Sequence, residues 1–481
     1  MKKTLFALMA LIASVTAGAE AFDLWVAGTQ VTTENQDDVL GDGNVIFYDF
    51  AEPNKLIIRN TTIEGGDAAA IKSSLSNLNI VIDGDVALEG SIGLDLTGEN
   101  QISCFSVSKR NQQTLTINAT DIGIRLTNGA LEYPESIKWM HVTGQNYGLL
   151  GSGNAVFKYL YQLNEACEPT TFQGIDQAAI SGLKSNDGYS PLRLRQSGII
   201  EPLNTSLIGG TIVDADDNPI KGDNIVKFGP AEPYEFYIGG TYINSLNCNN
   251  FRNDGLNGTA SYDPTTSTLS LTDVNMTSEV SCIYATNQKS GAFFITAKGD
   301  CSLKSLNDDA VKLICNISTI SNHADGGSLT VATENAEASA IRAEMLSLYN
   351  ATLTATSGDA PAINVPNSKI TFYDNVKVTA TSNDGHAAIV ANNFDLGPAA
   401  ITYPEGGSWN EANHNVVDAD GNPASKVIIT TEGSGVADIT AETSSPVTDI
   451  YSLDGRKLAE PVRGINIVRR ADGSCSKILV K

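Results

Sequence analysis

Cys282-Ile283, Ala310-Val311, Ala340-Ile341, Ala362-Ile363 and Ala388-Ile389 set a small residue before an aliphatic one five times within residues 282–389. The aliphatic members are 28, 30, 22 and 26 residues apart. Earlier in the chain Ile71, Leu94, Ile124, Leu149 and Ile180 recur at spacings of 23, 30, 25 and 31. Stacked β-coils produce such spacing when loop lengths vary while one inward ladder is kept. A small residue beside each rung suits a bend where neighbouring coils approach closely. Between the rungs run alternating segments such as Leu78-Asn-Ile80-Val-Ile82, Leu329-Thr-Val331 and Val376-Lys-Val378, broken by Gly, Asn, Asp and Ser. That is the pattern of strands and turns. A β-sandwich would alternate too, but it gives no reason for one aliphatic anchor per coil. Beyond the N-terminus, the best helix candidate is residues 154–166.

The ladder occurs twice because the chain is duplicated. Leu24-Trp25-Val26-Ala27-Gly28-Thr29 returns as Phe236-Tyr237-Ile238-Gly239-Gly240-Thr241, at an offset of 212. Tyr48-Asp49 returns as Tyr262-Asp263, and residues 212–219 (IVDADDNP) return as 416–423 (VVDADGNP). A period near two hundred marks a duplicated domain. The expected organisation is one module over 22–230 and a second over 231–431. Five coils at ~4.8 Å per rung give each a stack of roughly 24 Å. Uncovered ends of such a stack invite pairing with other chains. The opening strand of each module and the strand after each Asp-Ala-Asp turn are therefore expected to be caps. Residues 432–446, rich in Gly, Ser, Thr and Ala, read as a linker. Residues 447–481 read as a small β tail with a hairpin turn at Asp454-Gly455. The fold class expected is all-β: two tandem right-handed parallel β-helix-like modules plus a small C-terminal β tail.

Lys2-Lys3, the apolar run from Leu5 to Val15 and Ala19-Glu20-Ala21 read as a signal peptide over 1–21. The protein is expected to be exported, to the medium, the outer cell surface or the periplasm, with no integral membrane segment after cleavage. Fifty-five acidic residues against 31 basic ones give a formal charge of −24. Nucleic acid, which needs a basic face, is excluded as a partner. Of seven cysteines, Cys104, Cys282, Cys301 and Cys315 lie in alternating apolar stretches and read as small core residues.

Three places carry a resemblance to a known family: the opening LWVAGTQVTTEN, the small-aliphatic coils, and the closing YPEGGSWNEANHNVVDADGNP. Together they resemble secreted Bacteroidota proteins described as carbohydrate-binding-domain-containing, with β-helical folds. The tail TDIYSLDGRKL…GINIV…KILVK is similar to the end of type IX secretion sorting domains. The resemblance implies glycan binding at the cell surface.

Other motifs weigh less. Asn307-Asp308-Asp309-Ala310-Val311-Lys312 and Gly385-His386-Ala387 imitate motifs of β-helical polygalacturonases, and Gly66-Asp67-Ala68 with Ile71-Lys72 does so loosely. That chemistry needs an acid and a base carboxylate across the sugar, with cations on the substrate's carboxylates. Here the Asn-Thr-Asp and Arg-Ile-Lys elements are missing, so these read as turn residues. Asp418-Ala-Asp420-Gly-Asn422 imitates a calcium loop, yet Pro423 and Ile429 stand where glycine and glutamate are required. An Asx-type turn is expected there, and in the first copy. No catalytic residue, metal ligand or cofactor is assigned. The spacing Tyr-Pro-Glu-x3-Trp occurs twice, in Tyr133, Glu135 and Trp139 and in Tyr403, Glu405 and Trp409. Aromatic rings stack on sugar faces while carboxylates reach hydroxyls, so these six are the candidate carbohydrate contacts. The function expected is a non-catalytic secreted or surface glycan-binding protein. The alternatives are an adhesin or structural protein contacting a host or bacterial surface component, and a polysaccharide-degrading β-helix enzyme.

Overall fold

The computed structural model describes residues 19–49, 53–99, 101–108, 112–133, 137–160, 169–286, 291–431, 447–452, 456–470 and 475–480. The signal segment up to residue 18, the linker 432–446, the Asp454-Gly455 turn and Pro134-Glu135 lie outside them. Among the described residues there is no helix; the secondary structure is β-strand throughout. None of it forms a helix long and apolar enough to cross a membrane.

The two ladders are rungs of two parallel β-helices. In the first module Ile71 pairs with Leu94, Leu94 with Ile124, Ile124 with Leu149 and Leu149 with Ile180. In the second, Ile283, Val311, Ile341, Ile363 and Ile389 follow one another in the same way. All ten are at most 1% exposed. Each contributes about 1.5–3 kcal/mol by leaving water. The stacks together make about 12 turns.

The residue before each rung explains the small-aliphatic pattern. In the second module the Ile283, Val311, Ile341 and Ile363 N–H groups donate to the carbonyls of Ala310, Ala340, Ala362 and Ala388 on the next coil, at 2.9–3.2 Å. The first module places Gly93, Gly123 and Gly148 at these bends. A Cβ on Gly123 would lie 2.5 Å from the Gly148 carbonyl and 2.5 Å from Val142 Cγ1. The coils come too close there for a larger side chain.

Each coil has three faces. In the first module one face holds 85–90, 114–119 and Trp139–Gly144. The second face carries the ladder. The third runs through Asn54–Arg59, Asn77–Asp83, Gln101–Val107, Gly129–Tyr133, Val156–Leu160 and Leu192–Arg195. The candidate helix over 154–166 is thus corrected: Val156–Leu160 is a strand, because alternate residues Phe157 and Tyr159 turn into the core and Lys158 turns out. Period two wins there over helical periodicity.

The caps match in the two copies. Ala21–Val26 lies antiparallel on the first rung with Val26 opposite Ile71, and Pro233–Ile238 does so with Ile238 opposite Ile283. At the far ends Val226–Pro230 closes on Thr170–Gly174, and Lys426–Thr431 on Lys377–Thr381, both antiparallel. The Ile220 and Ala424 carbonyls accept the last N–H of each ladder, from Ala179 and Ala388. The tail is a separate four-stranded antiparallel sheet. Cys248, Cys282, Cys301 and Cys315 are buried, the last three as expected of core positions. Cys104 departs from its expected place: it stands on the outward side of the third face beside Glu132, where burial and that carboxylate push its pKa up to about 11.

The ladder carries the stability of the stack, whereas the outward faces do not. Ile341→Ala should lower the free energy of unfolding by about 2–5 kcal/mol. Thr354→Ala, on an exposed outward position, should change it by about 0.5 kcal/mol or less. Urea titration followed by circular dichroism measures both.

Candidate functional site

Residues that alternate with the rungs point outward and form straight columns. In the second module Tyr284, Lys312 and Arg342 follow the rung residues in register. The opening hairpin extends this column, with Tyr237 opposite Tyr284 and Tyr242 opposite Tyr237. The Tyr237 and Tyr284 rings lie nearly parallel, 6.0 Å apart at 14°, and Tyr242 meets Tyr237 edge-on at 4.9 Å. Lys312 Nζ stands 5.4 Å from the Tyr284 ring centre. This is the range of a cation–π contact.

A second column faces it from the first module. Cys104, Glu132, Lys158 and Arg193 are in register on the third face. Lys158 Nζ lies 2.5 Å from Glu132 Oε1, and an Arg193 Nη lies 2.5 Å from Asp187 Oδ2. Asp187 also accepts from the Ser185 hydroxyl at 2.5 Å and the Tyr189 N–H at 3.1 Å. Burial alone would raise the Asp187 pKa, but these hydrogen bonds and the Arg193 charge outweigh it and hold the carboxyl below its ordinary range.

The loop carrying Asp187 crosses to the second module. Tyr189 meets Tyr237 edge-on at 5.9 Å, and the Ser190 N–H donates to the Gly240 carbonyl at 3.1 Å. Gly240 is required at this contact: its φ is +74°, and a Cβ would lie 2.5 Å from the Gly188 carbonyl. Burial, and then the Asp308 carboxylate, push the Tyr189 phenol up from its ordinary value, so it keeps its proton at neutral pH. Between the columns lies a cleft of about 540 Å³, with Tyr159, Leu192 and Leu194 as its apolar floor. A second cleft of about 530 Å³, with Lys184, Asp254 and Glu279 among its lining, shares the Tyr189-Ser190 wall. The first has the make-up of a sugar site: flat half-exposed rings, an apolar base, and a few fixed polar groups.

The residues singled out from the sequence fall elsewhere. Tyr133 ends a strand of the third face, whereas Trp139 starts a strand of the first, its ring tilted at 36° to His141 with centroids 4.6 Å apart. Glu135 lies outside the described residues. In the closing cap the Trp409 indole lies flat on Phe394 at 4.6 Å and 5°, and Phe394 packs against buried Phe372. Tyr403 is 46% exposed with Lys426 Nζ 5.6 Å from its ring, and Glu405 is exposed. No ring contact joins Tyr403 to Trp409 among the described residues. The two copies of the spacing therefore occupy different parts of the fold.

The enzyme-like motifs are turn residues. Asp309 accepts the Ser339 N–H at 2.7 Å and faces Arg342 at 3.0 Å. Asp308 and His386 belong to coils three rungs apart, roughly 14 Å at the usual spacing. Asp214 and Asp418 close Asx turns, each accepting two backbone N–H groups at 2.9–3.0 Å. No group of three metal-binding side chains occurs among the described residues. No family model, curated protein or solved structure matches the chain.

Because Trp409 props the closing cap through Phe394, Trp409→Ala should cost about 2–3 kcal/mol of stability, below the ~3–5 kcal/mol of a fully buried tryptophan. Thermal unfolding of the variant measures this.

Proposed function

We propose that this chain is a non-catalytic, exported glycan-binding protein whose site is the cleft between the two modules. One observation carries the reading: Tyr189, Tyr237, Tyr242 and Tyr284 converge on a concave, apolar-floored space bordered by two fixed ion pairs. Tyrosine faces take the C–H side of a pyranose, and the neighbouring ion pairs lie within the same cleft. Both walls are columns on packed stacks, so the geometry exists before a ligand arrives and little ordering cost falls on binding. The fold alone would not justify the assignment. Cell-surface or extracellular location is part of the proposal, supported by the N-terminal signal pattern and the sorting-like tail.

A second reading, an adhesin that contacts a protein, draws support from Tyr349 and Tyr373. They occupy equivalent positions on adjacent coils of the second module and are 54% and 48% exposed.

A glycan array on the full secreted chain tests the proposal. Tyr237→Ala and Tyr284→Ala should each weaken a positive glycan by about 5- to 150-fold, or 1–3 kcal/mol, with the β-sheet spectrum unchanged. An array without a positive, or variants that bind like the parent, would reject the cleft.

Binding should also depend on pH in a set direction. The Asp187 pKa is depressed in the folded chain, so its pairing with Arg193 is fully present above about 4, the ordinary carboxylate value. It is lost as pH falls through the depressed value. Affinity should stay level from neutral pH down to about 4 and drop below it; titration calorimetry across that range checks the sign.

A further inference from the structure

Resting on the glycan reading of the junction cleft, we infer that the site selects an uncharged sugar and rejects uronates. The charges around the cleft are already balanced against one another. Lys158 is held by Glu132 at 2.5 Å, Arg193 by Asp187 at 2.5 Å, and Lys312 has Asp308 at 4.0 Å. Three cations face three carboxylates. Arg193 is further committed to its own loop, donating to the Ser190 carbonyl at 3.3 Å and the Ser185 hydroxyl at 3.2 Å. A sugar carboxylate entering here would have to displace Glu132 or Asp187 from its partner and lie beside the displaced charge.

The hydrogen-bonding inventory points the same way. An ionised carboxylate only accepts, whereas a hydroxyl both donates and accepts. An ion pair offers an accepting oxygen and a donating N–H side by side, which a hydroxyl can use without breaking the pair. Glu132 with Lys158 and Asp187 with Arg193 present two such pairs along one wall. The wall opposite adds the tyrosine rings, with Lys312 Nζ over the Tyr284 ring and paired with Asp308. At longer range the formal charge of −24 repels polyanions before contact.

Titration calorimetry on the full chain at near-physiological salt tests this with matched probes. Oligomers of glucose, galactose and mannose are compared with oligomers of glucuronate, galacturonate and mannuronate. A neutral member should bind at least about tenfold more tightly than its uronate counterpart. Glu132→Gln should free Lys158, and Asp187→Asn should free Arg193, each narrowing or reversing that preference by about tenfold or more. Asp187 lies on an exposed loop, so its variant reads the same release if Glu132→Gln fails to fold. Equal or tighter uronate binding by the parent overturns the selectivity, as does a preference unchanged in both variants, while the glycan reading stands. If neither class binds the parent, both fall.

Discussion

Every coil of a parallel β-helix must hand its backbone N–H and C=O groups to the coil above and below, and a finite stack has two ends where that exchange stops. Most of this structure follows from that constraint. The ladder of Ile, Leu and Val rungs keeps the coils in register. Ala, Gly or Cys at the preceding position lets the backbones approach closely enough to bond. The antiparallel strands at Ala21–Val26, Val226–Pro230, Pro233–Ile238 and Lys426–Thr431 close the ends. The third face of the first module is left over: among the described residues its last strand, Leu192–Arg195, pairs only with Val156–Leu160. The opening hairpin of the second module comes to lie near that bare edge. The cleft is the space left where a hairpin covers an edge without pairing to it.

This origin accounts for the chemistry of the site. The edge strand ends the core, and its Leu192 and Leu194, with Tyr159 of the strand beside it, line the floor of the cleft. Its outward neighbours belong to a charged column, hence Glu132, Lys158 and Arg193. The covering hairpin contributes the outward column of its own module, which begins with tyrosines where the first copy has Trp25 and Lys72. Those two also touch, with Lys72 Nζ 5.5 Å from the Trp25 ring. Duplication thus supplied an aromatic residue at each module's start, Trp25 in the first and Tyr237 in the second. The second start faces the first module.

The ladder, both pairs of caps and the Asx turns at Asp214 and Asp418 were legible in the sequence because each depends on neighbours within a few residues or on a spacing kept twice. The site was not. Glu132, Lys158 and Arg193 are separated by 26 and 35 residues and share no local motif; coil length alone aligns them, and it varies. One signal was within reach. The residue after each aliphatic rung must point outward, so Tyr284, Lys312 and Arg342 could have been read as a column from the ladder itself. The repeated Tyr-Pro-Glu-x3-Trp spacing does not mark one shared place: short identical strings landed on different faces and different ends. Cys104 shows the limit of an apolar context, since a one-residue step in a strand turns a core position into an outward one.

The junction is also a mechanical element. Within a module, neighbouring coils are joined by backbone bonds on three faces at once. Across the junction the bonds described are discrete: Ser190 to Gly240, Gln196 to Ala231, Ser197 to the Asn244 amide, the Gly209 N–H to the Asp254 carboxylate, and Arg252 to the Asp214 and Ala215 carbonyls and to Asp217. A pull applied between the ends of the chain meets these few contacts in series with two much stiffer stacks. A sugar gripped by rings on one side and ion pairs on the other would be a cross-link over the junction, so an occupied molecule under tension would hold where an empty one gives way.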